Sequence, residues 1–368
     1  MTIYTVLVVA VCFFCSLAWV DSRQVSRLSL IVGTVILIIF TALRFESGAD
    51  YDSYVEIFLA SPSVSELSLS ALRQVPAEVG YVLLNSLFKS VSSEAFLFLA
   101  LLSCLSIASK SFVIYKMSDI PYLSFVLYFA FVYFNSEYIQ VRWAFALSLI
   151  YVALYLYVSR RSTFGAVIAL CAAVSMHVFS LYFVFAFIAY IAVSDRFSVP
   201  VFFWFGLGCL ATSFLLNISE TMLVLVSTVG FDGYFYQKLV GYLRSVGDAV
   251  AWHVTLRYVL IYFLVCYFAR NFSDSGSEGL YKFYCYIFGV VMLLSSFPIA
   301  LSRGYIFCEL LSALLIANGV ARIKCSYTKM VWMILILLVC LIYWLLLGQA
   351  FVRNDHIYEY NTWLRLIG

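Results

Sequence analysis

About a dozen apolar runs follow one another along this chain, most of them with short polar connections, and a chain built that way has few folds open to it. The runs cover residues 2–20, 29–43, 94–115, 121–135, 143–158, 164–176, 178–193, 199–216, 255–269, 281–297, 304–320 and 330–350. A helix crosses a bilayer with about 20 apolar residues, or about 15 where it is short or flanked by aromatic anchors. Hydrophobic residues make up 65% of the chain and charged residues 11%, against roughly 25% charged in a soluble domain. A water-soluble fold of this length could not hide that apolar surface. In lipid it needs no hiding, and backbone polar groups are satisfied within helices. The pattern therefore predicts an all-α, polytopic transmembrane protein of about 12 spans, with a range of about 10–13. It is expected to be one membrane-embedded domain over residues 1–368.

Orientation follows from lysine and arginine in short loops, which stay on the cytoplasmic side. No basic residue precedes the first run, and Arg23 and Arg27 follow it. A cleaved signal peptide has the reverse order, so the run reads as a retained span entering from outside. The inside loops then hold Arg23, Arg27, Lys110, Lys116, Arg160, Arg161, Arg196, Arg270, Lys282, Arg322, Lys324 and Lys329. The outer face receives two long loops, 44–93 and 217–254, and the tail 351–368. The short runs 164–176 and 178–193 are expected to form a hairpin turning at Met176-His177. The ten cysteines lie mostly in apolar runs and predict no structural disulfide.

Within the first long loop, Val79, Val82, Leu83, Leu87 and Val91 recur at helical spacing, with Glu78, Asn85 and Lys89 elsewhere. That predicts an amphipathic helix on the outer membrane surface. The second loop carries Tyr234, Tyr236, Tyr242 and Trp252. Such aromatics serve as interfacial anchors or as sugar-stacking faces.

Charges beside apolar spans carry the functional information, because each costs about 2.5–3.5 kcal/mol at the bilayer centre. Arg44, Arg142, Arg257 and Arg303 all fall on the outer face of this topology, with Arg303 between spans ten and eleven. Arginines at span ends often just snorkel to headgroups. Four on the less basic face fit an anion site instead, since guanidinium binds phosphate bidentately and keeps its charge. His177 lies inside the apolar hairpin as Ser175-Met176-His177-Val178-Phe179-Ser180. It reads as a hydrogen-bonded structural residue or as a group that takes a proton near neutral pH. Asp50-Tyr51-Asp52 spells DxD, which fits an arginine or sugar-hydroxyl partner at Asp50 better than a metal. No phosphate-cradling glycine loop, GxSxG, HExxH or dinucleotide fingerprint occurs. Acids inside spans are nearly missing, Glu309 being the main exception. The net charge of +3 is too small to argue for nucleic acid.

At these residues the chain resembles the Wzy-type polysaccharide polymerases, most closely their EpsG-like branch. Arg44-Phe45-Glu46-Ser47-Gly48-Ala49-Asp50-Tyr51-Asp52-Ser53-Tyr54 is similar to that family's Arg, Gly, Asp and Tyr pattern after the second span. Glu78-Val79-Gly80-Tyr81 resembles its Glu-x-Gly-aromatic segment. Arg142 before an Ala-rich span, and His177 with Ser180, resemble its other marked positions. The resemblance implies a multi-helix protein of the bacterial inner membrane with its active site facing the periplasm. It implies a glycosyltransferase that joins undecaprenyl-diphosphate-linked oligosaccharide units into O-antigen or a related surface polysaccharide. Donor and acceptor units and membrane lipids are the expected partners, with a chain-length regulator protein as a further one. No cofactor or metal is expected.

In that scheme Arg44, Arg142, Arg257 and Arg303 hold the diphosphate. His177 or Asp50 receives the acceptor proton. Tyr51, Tyr54, Glu78 and Tyr305 contact substrate. Two other readings stay open at this point: a flippase or transporter of lipid-linked oligosaccharides, and another lipid-linked sugar transferase or ligase.

Overall fold

The computed structural model describes residues 23–48, 50–215, 252–294, 298–353 and 361–362. The first expected span and most of the loop 217–254 lie outside them. Among the described residues, helices dominate. They are α1 (Arg23–Ala42), α2 (Tyr51–Ala60), α3 (Leu69–Gln74), α4 (Val79–Lys89), α5 (Ala95–Met117), α6 (Pro121–Tyr128), α7 (Val141–Val158), α8 (Thr163–Met176), α9 (Ser180–Ser194), α10 (Val199–Leu215), α11 (Trp252–Ala269), α12 (Ser275–Leu293), α13 (Pro298–Ala321) and α14 (Ser326–Arg353). A π-helix, Phe129–Tyr138, continues α6 without a break. Two short strands, β1 (Arg44–Phe45) and β2 (Asn361–Thr362), pair antiparallel, Arg44 opposite Thr362.

Among the described residues, five helical stretches are long and apolar enough to cross a membrane: Gln24–Ala42, Ala95–Met117, Val141–Val158, Leu301–Ala321 and Ser326–Trp344. Four shorter apolar helices join them, at Thr163–Met176, Ser180–Ser194, Val199–Ser213 and Leu256–Ala269. Their surfaces are inside out relative to a soluble protein. On α1, Leu28, Ile31, Val35 and Ile39 are exposed along one stripe, while Ser26, Ser29 and Thr41 are buried. Contiguous exposed apolar surface of this extent marks a face covered by something other than water.

Two compact units make up the chain: residues 1–183 with 324–368, and residues 184–323. In the first unit α7 packs along α8 and α5, and α5 also packs on α1. Ala144, Ala146 and Ala153 of α7 and Ala166, Ala169 and Ala173 of α8 are all buried. Small side chains let such helices approach closely when lipid gives no hydrophobic push. In the second unit α12 lies between α10 and α13, with α11 against α13.

Three expectations need correction here. Lys110 is not a loop cation: it sits inside α5 and is fully buried. Intramembrane acids are not confined to Glu309, because Glu137 is fully buried beside Lys110; the helical winding runs on to Tyr138, past the expected span end at 135. Arg303 does not lie between spans but within the first turns of α13.

The expected amphipathic helix is present as α4, and its outer stripe is apolar: Val79, Leu83 and Leu87 are exposed, and Val91 beyond it. Its buried face carries Tyr81, Val82, Asn85 and Ser86. Asn85, off that stripe, turns in and donates to the Tyr81 carbonyl at 3.0 Å. Lys89 anchors the far end of α4 by donating to the Leu59 and Ser61 carbonyls at 3.0 and 2.5 Å.

Candidate functional site

The hairpin at Met176-His177 breaks as the apolar pattern requires. α8 ends at Met176, and His177 caps it with extended backbone, φ −154° and ψ 121°. The His177 carbonyl then accepts from Ser180 N at 2.9 Å, starting α9. His177 is only 2% exposed. Its Nδ1 accepts from Phe179 N at 3.1 Å. A neutral imidazole that accepts at Nδ1 carries its proton on Nε2. Trp143 covers the ring edge-on, with centroids 5.3 Å apart.

Glu78 is the hub of this region. It stands at the N-cap of α4 without capping it. One carboxylate oxygen accepts from Arg142 Nη1 at 2.9 Å, and the other from Val178 N at 3.0 Å. A single side chain thus ties the start of α4, the start of α7 and the α8–α9 turn together. Two neighbours in the motif explain themselves through the same contact. The Arg142 guanidinium lies over the Tyr81 ring, 5.3 Å from its centre, a cation–π contact. Gly80 lies where α4 crosses the end of α8: a Cβ there would come within 2.5 Å of Ser175 Oγ and 2.7 Å of Met176 Cε.

The segment after α1 supplies the second arginine. Arg44 is buried, donates through Nη1 to the Tyr138 carbonyl, and stacks over the Tyr138 ring at 4.9 Å. α7 begins only at Val141, so that carbonyl lies at the break between two helices, where acceptors lack intrahelical partners. Ser47 Oγ bonds the Tyr138 hydroxyl. Gly48 takes φ +106°, and a Cβ there would stand 3.0 Å from the same Tyr138 oxygen. Left-handed backbone against a carbonyl leaves room for glycine alone.

Asp50 occupies the N-cap of α2, and Tyr54 donates to its Oδ2 at 3.4 Å. Asp52, in the first turn of α2, is exposed. Burial, then the charge of Asp50, pushes the Tyr54 phenol well above its ordinary range, so it remains a neutral donor. Tyr54 lies within electrostatic range of both Arg44 and Arg142. Tyr51 is buried edge-on to Phe45 and within range of Arg44. The first unit therefore brings together Arg44, Asp50, Tyr51, Tyr54, Glu78, Arg142 and His177.

That constellation was read from scattered motifs, and the whole chain answers to one family. A model described as the EpsG family matches residues 27–362. The chain belongs to the EpsG family. No curated protein and no solved structure matches it. EpsG membership bears out the resemblance drawn from the motifs, and makes this a polysaccharide-polymerase-like, multi-pass membrane protein.

The remaining predicted residues of this EpsG-family chain fall in the second unit. Arg257 of α11 donates to Glu309 of α13 at 2.6 Å and to the Tyr258 hydroxyl at 2.9 Å. Tyr258 stacks on Tyr305. Arg303 is half-buried two residues before Tyr305.

Sequence reasoning missed the support beneath these groups. Tyr138 and Trp143 carry no chemistry of their own and stand out only in three dimensions. Lys110 was counted with the inside-loop cations although it lies in the run 94–115, and Glu137 falls two residues past the run 121–135.

Proposed function

We propose that this chain is a polymerase that joins undecaprenyl-diphosphate-linked oligosaccharide units into O-antigen or a related surface polysaccharide, at the periplasmic face of the inner membrane. The observation that carries the reading is Glu78 holding Arg142 and the His177 turn at once. Arginine, histidine and carboxylate from three separate chain segments thereby share one region of an EpsG-family protein.

Arg44 and Arg142 of the first unit take the donor diphosphate, and Arg257 and Arg303 of the second unit are tested beside them. The Glu78 carboxylate orients the Arg142 guanidinium, a planar group with five N–H donors. The acceptor hydroxyl oxygen attacks the donor's anomeric carbon. The carbon–oxygen bond to the diphosphate breaks, and undecaprenyl diphosphate leaves with the electron pair. Arginine charge offsets the negative charge that builds on the leaving oxygen. The hydroxyl proton goes to Asp50. His177 suits the opposite role: its Nδ1 accepts from Phe179 N, so its ring proton sits on Nε2 and the imidazole acts as a donor rather than a base. Attack opposite the leaving group inverts the anomeric centre. Tyr51 and Tyr54 line the sugar path as neutral donors and apolar faces. Fixing two membrane-tethered substrates at one place supplies much of the remaining rate.

The test is a deletion strain complemented with Ala and Lys variants of each arginine, polymer length being read at matched protein level. Full-length polymer from all four Ala variants ends the diphosphate reading. Rescue by Lys argues for charge without a bidentate fork. The deletion strain should accumulate single lipid-linked units on the outer leaflet. Accumulation on the cytoplasmic leaflet would make the chain a flippase instead.

A further inference from the structure

We propose that the buried Lys110–Glu137 pair is a positioning device for Arg44, acting through the π-helix that ends at Tyr138. The inference rests on Arg44 being a diphosphate ligand. Both side chains are 0% exposed, with Lys110 Nζ 2.5 Å from Glu137 Oε1. Lys110 also donates to Ser136 Oγ at 3.0 Å, and Tyr128 donates to Glu137 Oε1 at 2.8 Å. Ser106 of α5 completes the cluster, its Oγ 3.3 Å from the same oxygen. The pair therefore clamps the last turn of the π-helix to α5.

Next in sequence is the residue that aims Arg44. Tyr138 offers its carbonyl to Arg44 Nη1, its ring to the guanidinium face and its hydroxyl to Ser47. The π-helix is a rare winding that recurs at functional sites, and here it runs for ten residues. Left to itself, such a segment reverts toward 3.6 residues per turn. Moving Tyr138 by one residue position on a helix turns it by about 100°, which carries its carbonyl and ring away from Arg44. An ion pair at residues 136–137 is placed to prevent that, because a charge inside the membrane must keep its partner. The Thr41 Oγ1–Tyr133 hydroxyl bond, 2.5 Å, holds the same π-helix to the last turn of α1, just before Arg44. Register on both sides of the Arg44 contact is thus pinned by polar contacts within apolar helices.

The experiment is binding of undecaprenyl diphosphate to the full chain in nanodiscs, on wild type, R44A, the double variant K110M/E137M, and the three combined. Single variants would strand a buried charge, so the double variant replaces both partners by methionine, an exchange a core tolerates well. A thermal midpoint is measured on each sample. The proposal expects K110M/E137M to stay folded yet bind about tenfold weaker, the scale of one charge-assisted hydrogen bond to the ligand. It further expects the combined variant to bind no weaker than R44A, because the pair acts only through Arg44.

Binding by K110M/E137M within twofold of wild type, with R44A weakened, overturns the positioning role and leaves the diphosphate reading standing. Losses that multiply in the combined variant also overturn it. If R44A itself binds like wild type, the diphosphate assignment of Arg44 fails, and the positioning role with it.

Discussion

Replacing Glu78 by alanine should unfasten three helix ends in one step. The carboxylate is the partner of both Arg142 Nη1 and Val178 N. Its side chain is 9% exposed and that of Arg142 13%, so solvent screens the pair little. Breaking a buried ion pair from one side costs about 3–5 kcal/mol, because the abandoned charge stays behind. The stranded Val178 N–H belongs to the same loss, on the order of 1–3 kcal/mol taken alone. E78Q keeps an oxygen for Val178 but turns an NH2 donor toward Arg142, so it loses the charged hydrogen bond to that guanidinium, about 1.5–3 kcal/mol, and should cost less than E78A.

The assay is the thermal midpoint of the purified full chain, at roughly 2–4 °C per kcal/mol for a domain of 150–250 residues, beside polymer length in complemented cells. Midpoints should fall in the order wild type, E78Q, E78A. The double variant E78A/R142A should regain much of the E78A loss, since no stranded guanidinium remains, and should still make no polymer. An E78A protein with the wild-type midpoint and full-length polymer would refute the hub. A double variant no more stable than E78A would refute the stranded-charge account of it.

Four further outcomes follow from single contacts. G48A should lower the stability by about 1–2 kcal/mol, the cost of left-handed backbone with a Cβ, and shorten polymer, since the new methyl meets the Tyr138 oxygen that holds Arg44. G80A should cost about 1–3 kcal/mol by overpacking, and S175G should recover part of that, because Ser175 is what the methyl strikes. H177N should fold normally, its amide oxygen replacing Nδ1 as acceptor for Phe179 N, while polymer is lost with the Nε2–H donor; a wild-type polymer profile would remove His177 from the chemistry. In the second unit, burial pushes the Asp274 carboxyl up, and bonds from Ser277 and Arg322 more than offset this, leaving it below its ordinary value. A depressed folded pKa means the unfolded chain binds more protons at low pH, so this contribution is full above about pH 4 and is lost as pH falls through the folded value. D274N should therefore flatten the acid side of a midpoint-versus-pH curve.

Particular residues show how far the sequence carries. The α8–α9 break could be foreseen because two apolar runs meet at a polar His-containing step, and it falls after Met176. α4 could be foreseen from its helical spacing, yet its buried face could not. In water the apolar stripe would turn inward, whereas here Asn85 and Ser86 are inside and Leu83 and Leu87 outside. Lys110 was misplaced for a related reason: a basic residue near the end of an apolar run is counted toward the adjoining loop, and only a partner such as Glu137 lets one remain buried.

Apolar run length and the scarcity of charge determined the membrane class and most helix positions from the sequence by itself, because bilayer thickness and backbone satisfaction leave so few choices. The motifs also named Arg44, Glu78, Arg142 and His177 as residues of interest. Only the tertiary structure decided who holds whom. Arg142 and Val178 lie 64 and 100 residues from Glu78, and no local rule fixes a contact at that separation. It is set by the close packing of small-residue helices and by the requirement that every buried charge find a partner.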